Sequence, residues 1–333
     1  RHYHQTGFLR WFSKNLCNIG DLKGYIEELE PKDAAIGEFI LAIPDFTKSD
    51  KENQKILEAC IKNTVADNAI IGLMKNSEKL NDLGSELIAL EAVQNNYREL
   101  EGDAVARQEI NSRISSLKLE LRAELSSSFD QSEWSNPLIS GEEKQHNLTL
   151  IASDLADKIF HQAPPIFNEI INKDYGSSNA SLGRKLLMNR MIDFTGQENL
   201  GFTNFSVEAG LFYTVLKNNN LYEKNNEAFE FIVPKEGHPF FSLWQCADAL
   251  FNETDEIVGL DTLYKAWQNP PFGLKKHLCP LIAFAYFLSK KYELILYREK
   301  RFIPEITDVT IDEWIMDPAM IGFKGFEWTK DKI

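Results

Sequence analysis

The sequence predicts an α+β protein that is mostly helical. Three observations carry that prediction. Two compact apolar runs of strand length, "GEFILAI" (Gly37–Ile43) and "NAIIGLM" (Asn68–Met74), flank a helical pattern. From Ser77 to Phe129 the apolar residues recur at helical spacing. Two later stretches each run through helices into a pair of short strands joined by polar residues. With 333 residues, 43% apolar and 26% charged, the chain has the length of roughly two or three domains and enough apolar material for real cores.

The bulk numbers also exclude. A net charge of −14 argues against a general nucleic-acid binder, because phosphate contacts need a basic surface. Only a local basic face would serve. No apolar run reaches the roughly 18 residues that a membrane span needs, and no signal-peptide pattern is present. Cys17, Cys60, Cys246 and Cys279 lie far apart, without a CxxC pair, and read as reduced thiols of a cytoplasmic protein. The chain opens "RHYHQTGFLRWF" without Met and goes straight into patterned sequence, which predicts a piece of a longer protein.

Residues 1–76 read as a small α/β part. The two apolar runs are strands, and "FLRWFSKNLC" is a further strand candidate. Between the runs, Ser49 or Asp50 caps a helix with Ile56, Cys60 and Ile61 on one face. Strand, helix, strand predicts a parallel pair with one crossover. Neither strand leads into a Gly-rich loop, so there is no dinucleotide or P-loop fingerprint. Residues 77–129 read as a helical arm. Ser77 caps its start, and Ile110, Ile114, Leu117, Leu121 and Leu125 form one apolar stripe. That stripe packs within the protein or against a partner. Residues 130–147, polar with Pro and Gly, read as a linker.

From Leu148 the pattern is four helices and a hairpin, with "APPIFNEIINKD" as the second helix and "SLGRKLLMNRMIDF" as the third. A shorter version follows: "FFSLWQCADALF", "GLDTLYKAWQ" and "LKKHLCPLIAFAYFLSKK" are helices, "YELILYREKRFIPEI" a hairpin, and "TIDEWIMDP" a closing helix. Helices followed by a hairpin predict two tandem winged-helix-like modules, 148–238 and 239–333.

Five stretches occur in order: "HQTGFLRWF", "LIALEAVQNNYRELEGDAVARQEINSRI", "APPIFNEIINKDYGSSNASLGRKLLMNRMI", "ENLGFTNFSVEAGLFYTVLK" and "NPPFGLKKHLCPLIAFAYFLSKKYELILYREKRFIPEIT". Together they resemble the region downstream of the nucleotide-binding domain in large P-loop ATPases of bacterial phage-defence islands, the BREX-type P-loop proteins and their PglY-like relatives. The resemblance spans nearly the whole chain and contains no catalytic signature. It implies membership of a defence ATPase whose ATP and Mg²⁺ belong to a P-loop domain outside this segment. The chain itself has no GxxxxGK[ST].

The residues agree that catalysis is not encoded here. There is no GxSxG, no HExxH and no Cys/His set for zinc. His2 and His4 form HxH, two ligands without a third. Glu142–Lys144 supplies carboxylates in a polar linker, where a metal-dependent nuclease needs them on adjacent strands. Candidate phosphate contacts are Arg184, Lys185 and Arg190 on the third helix, with Leu186, Leu187, Met191 and Ile192 as its buried stripe. Further candidates are Lys275, Lys276, Lys290, Lys291, Arg298, Lys300 and Arg301 around the last long helix and its wing. That helix is apolar nearly all round until Ser289, which marks a core element and not a major-groove reader. Asn168 and Glu169 are a candidate contact for a partner, or else a helix cap. The expectation is a non-catalytic segment that couples the nucleotide state of the absent P-loop domain to DNA or a protein partner. The alternative is a scaffold or oligomerisation module that binds other defence subunits, or copies of itself, without DNA.

Overall fold

The computed structural model describes residues 1–30, 35–63, 67–97, 102–139, 147–168, 178–252 and 256–326. The protein is α+β and mostly helical. It forms two compact units, residues 10–155 and residues 1–9 with 156–333. These bounds differ from the five segments read off the sequence.

The chain starts with α1 (His2–Thr6), part of the second unit. It stops at Gly7, whose φ of 77° is left-handed. A side chain there would lie 2.0 Å from the Ile166 carbonyl oxygen. Only glycine allows that approach.

In residues 10–155, β1 (Phe12–Asn18), α2 (Leu22–Glu27), β2 (Gly37–Ile43), α3 (Asp50–Asn63) and β3 (Ala69–Leu73) alternate. The three strands are parallel, in the order β1-β2-β3. β2 and β3 are buried on both faces, which is why they read as unbroken apolar runs. One face carries Cys17, Ile40, Ala42 and Ile71 against Leu22, Ile26 and Leu57. On the other, Phe39 meets the rings of Phe12 and Trp134 edge-on. Ser49 opens α3 as expected, its N–H and hydroxyl both donating to Glu52 at 2.9 and 2.7 Å.

α4 (Ser77–Asn96) and α5 (Ala104–Gln131) form an antiparallel hairpin, with Asp103 capping α5 through the N–H groups of Val105 and Ala106. Leu80, Leu83, Leu87 and Leu90 recur at three- and four-residue intervals along α4, opposite the Ile110–Leu125 stripe. Ion pairs Glu86–Arg113, Glu91–Lys118 and Lys79–Glu124, the last at 2.6 Å, fix the alignment. After α5 comes β4 (Trp134–Ser135), antiparallel to β3. Here the expected linker 130–147 is corrected. Trp134 is buried over Gly72, and Asn136 donates to the carbonyls of Asp67 and Ala69. One tryptophan supplies enough apolar surface to hold an otherwise polar stretch on the sheet. Residues 140–146, including Glu142–Lys144, lie outside the described residues.

α6 (Leu148–Ile159) contains the boundary between the units. The helix expected over "APPIFNEIINKD" is absent from residues 163–168, and the rest of it, with Glu169, lies outside the described residues. Then come α7 (Ser178–Asp193), α8 (Val207–Leu211) continuing as a π-helix over Phe212–Lys217, and the hairpin β5 (Tyr222–Asn225) and β6 (Ala228–Phe231). α9 (Phe241–Asn252), β7 (Val258–Gly259), α10 (Leu260–Gln268), α11 (Cys279–Ser289), β8 (Leu294–Arg298), β9 (Arg301–Phe302), α12 (Asp308–Met316) and β10 (Ile321–Gly325) follow. The second sheet is antiparallel, in the order β7-β10-β8-β9.

The two modules expected over 148–238 and 239–333 share one continuous core, from Phe8 and Leu187 to Trp314 and Phe323. α11 is the reason. Its residues Cys279–Phe287 are all buried, so it needs cover on every side. The large polar-tipped rings in that core are satisfied: Trp314 Nε1 donates to the Pro280 carbonyl (3.1 Å), Trp267 Nε1 to that of Leu243 (3.2 Å), and Tyr264 OH to that of Trp314 (3.0 Å). No helix among the described residues is long and apolar enough to cross a membrane.

Candidate functional site

α7 was read as presenting Arg184, Lys185 and Arg190 outward. The helix is rotated from that phase. Its buried residues are Gly183, Arg184, Leu187, Met188 and Met191, while Leu186 and Ile192 are exposed. Arg184 is 8% exposed, its Nη1 donating to the His277 carbonyl at 2.6 Å and its Nη2 to Ser181 Oγ at 3.4 Å. Burial lowers its pKa. Lys185 pairs with Asp312 of α12 at 2.7 Å, and this carboxylate raises its pKa.

Arg190 holds a turn of its own chain. Its Nε and Nη2 donate to the carbonyls of Leu200 and Gly201, each at 2.7 Å. Its guanidinium lies 4.2 Å from the Phe194 ring centre and 4.3 Å from that of Phe202. Asn199, Leu200 and Gly201 are all left-handed (φ 51°, 49° and 65°), a conformation that costs Leu200 on the order of 1–2 kcal/mol. The guanidinium fork and two cation–π contacts offset that cost. Neither Arg184 nor Arg190 is placed to grip a DNA backbone.

Lys290 contacts Asp248 (3.1 Å) and Glu293 (3.0 Å), and Asp248 also accepts from Tyr286 OH at 2.8 Å. Burial opposes the charge of Lys290; the two carboxylates outweigh it and raise its pKa. Arg298 pairs with Glu313 of α12. Sequence reasoning missed these counter-ions. The one available signal was Asp312-Glu313 within "TIDEWIMDP", acidic residues on the helix that follows the basic wing.

The remaining basic residues are Lys275, which is half-buried, and Lys276, Lys291, Lys300 and Arg301, which are exposed. Lys291 sits 5.0 Å over the Tyr292 ring. Glu299 and Lys300, both left-handed, make the two-residue turn between β8 and β9, with Arg301 and a 63%-exposed Phe302 beyond it.

The candidate partner stripe is largely internal. Ile114 and Leu117 are buried, and Ile110, Leu121 and Leu125 are half-buried. Leu121 and Leu125 line an apolar cavity of about 270 Å³ with Ile43, Phe46, Met74 and Gly84, at the carboxyl edge of the parallel strands. Asn168 donates to Thr214 Oγ1 at 2.7 Å. His2 is buried, with Nδ1 2.8 Å from Asp157 Oδ1, and His4 is exposed. Among the described residues no group of three or more His, Cys, Asp or Glu is arranged to hold a metal ion. Comparison with protein-family models, curated proteins and solved structures found no match for this chain.

Proposed function

We propose that this chain is a non-catalytic interaction segment of a larger cytoplasmic phage-defence ATPase, a scaffold for other subunits of that system. ATP and Mg²⁺ belong to a P-loop domain beyond this segment. One observation carries the choice of scaffold over DNA reader. Lys185, Lys290 and Arg298 are neutralised by carboxylates of the same chain, and Arg184 and Arg190 are turned onto its own carbonyls.

Residues 241–325 are read as a winged-helix variant. The order helix, strand, helix, helix, strand, strand and the pairing β7-β10-β8 support this, with β9 and α12 inserted as an enlarged wing. In such modules the third helix reads bases. Here that helix is α11, and its burial argues for a structural role. A second reading rests on the wing turn: exposed Lys300, Arg301 and Phe302 suit contact with a phosphate backbone without base reading.

Fluorescence anisotropy with a labelled duplex across a salt series tests the choice. The scaffold reading expects no binding at physiological salt. Binding that weakens steeply with salt, and drops in the Lys300→Ala/Arg301→Ala variant, replaces it with the wing reading.

A further inference from the structure

The apolar cavity of about 270 Å³ at the carboxyl edge of the parallel strands turns on one residue. Leu16 and Ile43 point to the face of the sheet opposite Cys17 and Ala42, because side chains alternate along a strand. On that face they meet Leu121 and Leu125 of α5, and the first two turns of α4 close the side. Gly84 stands one turn after Leu80, so a side chain there would point into the cavity too. A Cβ built on Gly84 meets nothing within 4 Å, so no close approach demands glycine. Its backbone is helical, so no turn demands it either. Glycine inside a helix is destabilising, and an unfilled apolar volume forfeits dispersion contacts. What Gly84 does at this position is keep the cavity open.

The lining states the class of occupant. It holds no charged side chain, which disfavours an ion. Ser77 and Asn81 are its two polar side chains, a turn apart at the start of α4, so an apolar body with one polar group at its end fits. An apolar cavity of about 150 Å³ holds benzene, and this one is nearly twice as large, enough for two fused rings. Phe46, exposed at the rim, offers a phenyl face for stacking, and the buried Met74 offers its thioether to a ring edge. We propose that this cavity is a binding site for one small uncharged aromatic molecule of two fused rings. The site does not rest on the scaffold reading, because none of the basic residues weighed there lines it.

The test uses the full chain with ¹³C-labelled methionine methyl groups, titrated with indole. Met74 is the single methionine of residues 10–155, and Met188, Met191, Met316 and Met320 in the other unit serve as internal controls. The expected result is a saturable displacement of the Met74 resonance alone, with a rise in melting temperature. Gly84→Leu fills the cavity from within and should abolish the displacement without lowering the melting temperature of the free protein; if it does not fold, Gly84→Ala should weaken the displacement in the same direction. A Met74 resonance that does not saturate, that moves together with the other four, or that moves equally in the filled variant overturns the site and leaves the cavity a packing gap. Saturation by 1-octanol at a lower concentration than indole overturns the aromatic class in favour of an alkyl chain.

Discussion

α11 and α4 both carry apolar residues at short intervals, and the fold treats them in opposite ways. Every residue from Cys279 to Phe287 in α11 is buried, whereas no residue of α4 is. α11 is surrounded by rings, with Trp314 lying edge-on to Phe284, Phe287 and Phe323. Among the described residues α4 packs chiefly on α5, with a half-covered seam and exposed ion pairs worth up to about 0.5 kcal/mol each. One helix is held by rings from several elements and the other chiefly by its hairpin partner. Local opening therefore begins in the hairpin and reaches α11 last.

The strongest way to break this contrast is Trp314→Ala. It removes a fully buried ring and its hydrogen bond to the Pro280 carbonyl, so urea unfolding should show a loss of about 3–5 kcal/mol, with amide protection of α11 falling to match. Leu117→Ala in the hairpin seam should cost about 2–3 kcal/mol. Hydrogen exchange should quicken in α4 and α5 while α11 keeps its protection. Equal loss in α11 would show that the two helices do not differ as described. The smallest expected effect has the opposite sign. Gly84 lies inside α4, and a methyl group there meets nothing within 4 Å. Gly84→Ala should stabilise by about 0.5–1 kcal/mol in thermal unfolding. Destabilisation would mean that the apolar cavity beside Gly84 closes in solution.

How far the sequence could be read depends on the range of the interaction. β2 and β3 were legible because strands buried on both faces leave unbroken apolar runs. β4 and β7 were not: two residues show no period, and both exist because another strand lies beside them. α7 was recognised as a helix but its phase was wrong, because Leu186-Leu187-Met188 are adjacent apolar residues that spread over more than half its circumference. That ambiguity put Arg184 outside when it belongs inside. The burial of α11 was legible from its composition alone. The neutralisation of Lys185 was not, since Asp312 lies 127 residues away and no pattern within α7 reports it. Of the site, the sequence named the basic residues and could not say which were already partnered.

The pairing of His2 with Asp157 has a consequence in time. They are 155 residues apart, and everything between Arg10 and Leu155 belongs to the other unit. During synthesis at about 5–20 residues per second, the first nine residues wait roughly 8–30 s for the segment they join. By then all of residues 10–155 have been synthesised. Residues 1–9 thus leave the ribosome well before the segment they join, and Phe8, fully buried at the end, spends that interval without its core.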